Sequence, residues 1–166
     1  LRLKDLMGRM TLEEKVYQMN QFVGLDHMRQ AEKNLTEEEL HSNDAQGFYK
    51  GLFSDDVAQM TKEGKIGSFL HVLTTEEANL LQQLALQSPL KIPILIGIDA
   101  IHGNALVSGT TVYPSPITLA STWSDSFLYD VGKQSAKEMR ATGSHWVFTP
   151  NTVSYTHLTL PTSYAV

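Results

Sequence analysis

The chain has 166 residues, 42% hydrophobic and 19% charged, the composition of one ordinary globular domain rather than a disordered segment. The 13 Lys and Arg against 18 Asp and Glu give a net charge of −5, which leaves no basic footprint for nucleic acid. Cys is absent, which excludes disulfides, thiolate zinc sites, iron–sulfur clusters and cysteine nucleophiles, and no run of about 18 apolar residues is present to cross a membrane.

The first segment reads as helix. Thr11 and Glu14 form a capping box, in which the hydroxyl takes an orphan amide and the carboxylate reaches back. Leu12, Val16, Met19 and Val23 follow at helical spacing and predict one apolar stripe packed on a core. Residues 24–53 are polar and mixed, with Thr36 and Glu39 matching a second capping box. Ser54 is expected to cap a helix through Val57 and Met60, stopped by Gly64. The run 67–72 is short and mostly apolar and predicts a strand. Thr74 with Glu77 caps the next helix, which buries Ala78, Leu81, Leu84 and Ala85 and ends before Ser88-Pro89. The run 92–98 is continuously apolar, so it predicts a parallel strand covered on both faces. An uncharged loop spans 100–123. Ser124 opens a helix whose face carries Leu128, Val131, Gly132, Ser135, Ala136 and Met139, and Gly143 stops it. The run 145–149 is the third strand.

Strands alternating with helices imply right-handed crossovers and a parallel sheet. The fold class is α/β. Two architectures fit, a doubly wound sheet or the opening of a (β/α)8 barrel. In the barrel reading the chain supplies about three βα units, preceded by helical segments, with an unpaired edge and an open inner face that predict an aggregation-prone product. Leu1 stands where an initiator Met is expected, and 153–166 carries no Asp, Glu, Lys or Arg. That last stretch reads as a natural β-rich end or as a non-native read-through tail.

In either architecture function gathers at the C-terminal ends of parallel strands. Asp99 falls there, directly after the apolar run. A carboxylate in that place is either aimed into a pocket or caps its loop by local hydrogen bonds. His102 follows closely and is expected to brace the loop or border the pocket. Asp99 and His102 are too few to ligate a metal, and no second cluster joins them. His27 and His41 lie in polar helical surroundings, and His71 and His145 read as core or rim histidines. There is no Gly-x-Ser-x-Gly elbow and no phosphate-binding glycine loop. Trp123, Trp146 and Tyr113 are read as core packing or as a stacking surface for a ligand.

Several segments together resemble the N-terminal domain of glycoside hydrolase family 3. They are Met10-Thr11-Leu12-Glu13-Glu14-Lys15-Val16, Gly97-Ile98-Asp99-Ala100-Ile101-His102-Gly103, Thr110-Thr111-Val112-Tyr113-Pro114 with Leu119-Ala120-Ser121-Thr122-Trp123, and Glu138-Met139-Arg140-Ala141-Thr142-Gly143 running into Trp146-Val147-Phe148-Thr149-Pro150-Asn151. The resemblance covers the chain as far as Asn151. It implies a (β/α)8-like barrel followed by further domains, and an exo-acting, retaining hydrolase that removes a sugar from a non-reducing end. Asp99 matches the family carboxylate that accepts hydrogen bonds from hydroxyls of the sugar in the terminal subsite, and His102 is carried with it as a second substrate-binding candidate. The form around Asp99 resembles the β-glucosidase and exo-β-glucanase branch, with β-xylosidase or another exo-specificity as an alternative within the family.

After Asn151 the resemblance stops, where the family continues with an Arg-Trp-Gly-Arg loop, so it implies a partial barrel domain over 1–151 and a non-native read-through tail over 152–166. The family's nucleophile and acid/base lie beyond that point, so no catalytic residue is assigned in this chain, and the chain alone is expected to be inactive. The resemblance implies no cofactor and no metal, an oligosaccharide or β-glucoside as substrate, no nucleic-acid or membrane partner, and a periplasmic or secreted location by analogy. On residue pattern alone, two further readings stay open. One is a non-enzymatic α/β module that binds a sugar or other ligand through Asp99. The other is a doubly wound phospho-acceptor domain.

Overall fold

The computed structural model describes residues 2–34, 36 and 51–149. The expected Thr36–Glu39 capping box, His41 and the 152–166 tail therefore lie wholly or mostly outside the described residues. Among those residues the order is α1 (Arg2–Arg9), α2 (Leu12–Tyr17), β1 (Gln21–Val23), α3 (Leu25–Asn34), α4 (Ser54–Lys62), β2 (Ser68–Leu70), α5 (Thr75–Ala85), β3 (Leu95–Ile98), α6 (Pro116–Ala120), α7 (Asp125–Ala141) and β4 (Trp146–Val147). The strands form one parallel sheet in the order β1-β2-β3-β4. Each consecutive pair is joined by helices, as parallel strands require. This is the sequential winding of a barrel, without the reversal of strand order that marks a doubly wound sheet.

The strand β1 is not expected from the sequence. Helical spacing puts Val23 on the α2 stripe, but α2 ends at Tyr17 and a tight turn carries the chain into the sheet, Met19 N–H donating to Val16 O (2.9 Å) and Asn20 N–H to Tyr17 O (3.1 Å). Asn20 then fixes the register: its carbonyl accepts from the amides of Gly67 and Ser68, and its side-chain amide donates to Lys65 O at 3.0 Å. The stripe itself is not packed on a core. Leu12 is 77% exposed and Met19 76%, and only Val23 joins the interior. The Thr11–Glu14 capping box is present in both directions.

The row Phe22, Phe69, Ile96 runs across the sheet in register and faces helices α3, α4 and α5. Those helices contribute Leu25, Met28, Val57, Ala78, Leu81, Leu84 and Ala85 to the same core. A smaller cluster joins Ile98 and Ala100 to Val107 and Met139, with Val147 against them. The expected cover on both faces of the 92–98 run is met on one face only: Ile94, Ile96 and Ile98 are buried, whereas Leu95 on the opposite face is 44% exposed, because the helices named pack on one side. On α7, Val131, Ser135 and Met139 are buried as expected, while Leu128, Gly132 and Ala136 remain exposed. Gly64 and Gly143 stop α4 and α7 in the left-handed conformation.

Two helix starts depart from the local capping rules. Thr74 caps α5 as expected, its hydroxyl accepting from Glu77 N–H at 3.2 Å. The Glu77 side chain, however, does not return to Thr74. It reaches α3, where Oε1 accepts the Asp26 N–H at 3.0 Å. The N-cap of α3 is Gly24, whose carbonyl accepts from Met28 N–H and which has no side chain to offer. Glu77 supplies the missing acceptor and puts negative charge at a helix N-terminus. Ser54 likewise does not cap α4. Its amide and hydroxyl donate to the Glu32 carboxylate of α3, and Phe53 N–H donates to Asp56.

Glu77 is only 4% exposed. Burial raises its pKa above the ordinary 4.5, against the Asp26 amide, which favours the charged form. The folded state therefore holds this proton more tightly than the unfolded chain. The stability tied to it is complete below 4.5 and is lost as pH rises through the raised value. Glu77→Gln removes that loss, so its stability relative to the natural chain is higher near neutral pH than near pH ~4, measured by urea unfolding. Glu77→Ala leaves the first amides of α3 without an acceptor and costs about 2 kcal/mol in the same experiment.

Candidate functional site

The parallel register sets the C-terminal ends of β1, β2 and β3 side by side. The residues that follow them are Gly24, His71 and Asp99. His71 N–H donates to Gly97 O (3.0 Å), and Gly24 N–H donates to Leu70 O (2.9 Å). His71 takes a left-handed backbone conformation, φ 57°. For a residue with a Cβ this costs on the order of 1–3 kcal/mol and persists only where the surroundings hold it.

The His71 ring turns to Asp99. Its Nε2 lies 3.0 Å from Asp99 Oδ2. A carboxylate oxygen accepts, so Nε2–H donates and the ring Nδ1 is left for other contacts. The side chains are 29% and 42% exposed, so the pair stands at the surface of the strand ends with part of the carboxylate open to solvent. Asp99 is therefore more than a loop cap, since its carboxylate bonds a residue of a neighbouring strand end.

His102 is turned elsewhere. Its Nδ1–H donates to Tyr113 O at 2.9 Å, and Tyr113 N–H donates back to His102 O at 2.8 Å. It thus braces the loop that follows Asp99, as expected, although that loop is interrupted by α6 and does not run unbroken to residue 123. Thr111 adds a second anchor, its amide and hydroxyl both 2.8 Å from the Glu138 carboxylate. Hydrogen bonds from Gln134 and then Thr111 hold the Glu138 pKa below its ordinary value. The Asn104 side-chain amide adds a third, donating to Thr142 Oγ1 at 3.0 Å. His102 also borders an apolar groove of about 380 Å³ with Leu119, Leu128, Gly132, Ala136 and Val147. Asp99 does not line this groove, so the two candidate residues serve different places.

Among the remaining candidates, His145 is held by β3. Its Nδ1 accepts the Ile96 N–H at 3.2 Å, and partial burial, then the Arg140 charge, lowers its pKa. It is a structural rim histidine, as expected. Trp123 is 93% exposed, which excludes core packing for it, whereas Trp146 packs against Phe148 in a tilted pair with ring centroids 4.6 Å apart. No three His, Cys, Asp or Glu side chains converge on a metal position among the described residues.

His71 is the residue that sequence reasoning passes over. An apolar run reaching residue 72 puts His71 inside the strand. The strand ends at Leu70, and His71 then occupies the same place after β2 that Asp99 occupies after β3.

The sequence profile of the glycosyl hydrolase family 3 N terminal domain matches residues 11–155. The chain belongs to this family. It is 26% identical over 147 residues to a lysosomal beta glucosidase of Dictyostelium discoideum, covering 88% of this chain and 18% of that protein. Against a periplasmic beta-glucosidase of Salmonella typhimurium it is 26% identical over 148 residues, 88% of this chain and 15% of that one. A beta-xylosidase of Formosa agariphila is 32% identical over 93 residues, 52% of this chain and 13% of its own. Among solved structures, an exo-1,3/1,4-beta-glucanase of a Pseudoalteromonas species superposes with a TM-score of 0.64 at 26% identity, over 90% of this chain and 17% of that chain. The chain thus spans less than a fifth of the curated relatives it matches. In family 3 terms, the described sheet is α/β and parallel and matches part of the N-terminal barrel domain, as expected.

Gly24 sits against the site from the β1 side. A Cβ built there would lie 2.8 Å from His71 O and 2.9 Å from Glu77 Oε1. Gly24→Ala must push both away, and is expected to cost about 1–3 kcal/mol in thermal or urea unfolding.

Proposed function

We propose that this chain carries the sugar-anchoring part of the barrel of an exo-acting, retaining β-glycosidase that hydrolyses terminal non-reducing β-D-glucosyl residues, with Asp99 orienting the sugar in the terminal subsite. One observation carries the reading: in a family 3 N-terminal domain, a half-open carboxylate stands at the C-terminal end of the interior strand β3, fixed on one side by His71. Ionised oxygens accept several O–H bonds, and charge-assisted bonds are the strong ones. Bonds of this kind fix the ring and can strengthen as the transition state forms.

Retaining hydrolysis needs two carboxylates about 5–5.5 Å apart, one as nucleophile and one as acid/base. Asp99 does not take either role in this proposal, and both are assigned to parts of the family's proteins outside the stretch 1–151. His102 borders the substrate region through the 100–123 loop rather than by ligating the sugar beside Asp99. No cofactor or metal enters the reaction. The periplasmic relative supports a periplasmic or secreted location.

Two measurements test this. First, residues 11–149 replace the matching stretch of the Salmonella enzyme, and kcat/KM is read on an aryl β-glucoside. Asp99→Asn in that chimera is expected to lower kcat/KM by about 100-fold or more, the loss of two charge-assisted bonds. Retention within about threefold sinks the assignment. Second, the 166-residue chain is expected to turn over no aryl β-glucoside above its Asp99→Ala control. The 32% identity to a beta-xylosidase favours β-xylosides as the second reading, and a chimera that prefers the aryl β-xyloside would adopt it.

A further inference from the structure

The established family membership says nothing of His71, and its geometry is unusual for a bystander. It is a non-glycine residue held left-handed at φ 57°, at the end of β2. Its backbone is held from two sides. The amide donates to Gly97 O at 3.0 Å, and the carbonyl lies so near Gly24 that a Cβ there would sit 2.8 Å away. With the backbone fixed, the ring reaches Asp99, with Nε2 at 3.0 Å from Oδ2. A strained backbone kept in place by its neighbours, with a side chain aimed at a half-open carboxylate, is the pattern of a residue retained for its position.

We infer that His71 is a positioning residue for Asp99: its Nε2–H occupies Oδ2 and sets the rotamer in which the remaining lone pairs meet sugar hydroxyls. The inference rests on the reading of Asp99 as the sugar anchor. A free aspartate turns about two side-chain bonds, so a fixed donor on one oxygen removes freedom that binding would otherwise have to remove. His71 acts through Asp99 and is not itself a group that bonds the sugar.

The test uses the full 166-residue chain with methyl β-D-glucopyranoside as probe and NMR as readout. With the imidazole neutral, ¹⁵N-histidine spectra should show His71 protonated at Nε2, and Asp99→Asn should abolish that preference. His71→Gly suits the left-handed backbone, so its melting temperature should match or exceed that of the natural chain. Its affinity for the glucoside should nonetheless fall about tenfold, the usual effect of one hydrogen bond to a charged group. His71→Gln, which restores a donor near the Nε2 position, should recover most of that loss. A purely structural residue would give the opposite pattern, moving the melt and leaving affinity alone.

If His71→Gly binds as tightly as the natural chain while Asp99→Asn does not, the inference on His71 falls and the Asp99 reading survives. If Asp99→Asn also binds as tightly, or the natural chain binds no glucoside, the Asp99 reading falls and takes the inference with it. An Nδ1-protonated ring overturns the inference directly.

Discussion

At the end of β1 two backbones and a buried carboxylate crowd into a space that only a glycine allows. Gly24 must continue the β1–β2 ladder, serve as N-cap of α3, and lie under the carbonyl of His71. A residue with no side chain cannot satisfy the first amides of the helix it begins. The deficit is met from another helix by Glu77, at the cost of burying a carboxylate. Glu32 of α3 performs the same service for α4, through Ser54. Each helix packed on the β1–β2 side is thus tied to another by a carboxylate at an N-terminus, where the helix dipole favours negative charge. The strand ends inherit their positions from these ties.

The large features of the fold are legible because they depend on long, repeated signals. The apolar run 92–98 and the α5 face of Ala78, Leu81, Leu84 and Ala85 are such signals; the α5 face is buried as the pattern implies, and the run is buried on the face of Ile94, Ile96 and Ile98. β1 is illegible because Gln21–Val23 is too short to show alternation, and Val23 falls at helical spacing from Met19. Residues 24–53 read as mixed and polar, and although His27 is read in helical surroundings the bounds of α3 go unseen, since its buried positions are Leu25 and Met28 alone. Glu77 shows a different limit. Its spacing from Thr74 satisfies the capping box, yet the side chain answers a stronger demand from a glycine-capped helix 51 residues away. A local rule names the residues able to cap, and tertiary structure decides which helix they cap.

At the candidate site the same division holds. Asp99 is legible because a lone carboxylate after an uncharged run has no charged partner near in sequence, so either its own loop or another strand has to satisfy it. The partner is His71, 28 residues earlier, and no local pattern connects the two. What joins them is the register of β2 on β3, in which Leu70 pairs with Gly97. Strand-end position, applied to β2 as to β3, is the signal that finds His71, and it depends on knowing where β2 stops.

The loop 100–123 then explains why so many of its residues belong to one recognisable pattern without sharing a chemical role. Tyr113 holds His102, Thr111 is held by Glu138, and Asn104 reaches Thr142. Each of these contacts crosses from the loop to itself or to the end of α7. None of them touches Asp99, so they fix a wall beside the strand ends and leave the carboxylate free on its open side. A site organised this way separates two tasks. The strand ends present one carboxylate with a defined partner, and the loop sets the boundary beside it. Among the described residues the neighbouring strand ends carry Gly24 and His71, so the second strand end contributes a donor to Asp99 and the first contributes only backbone.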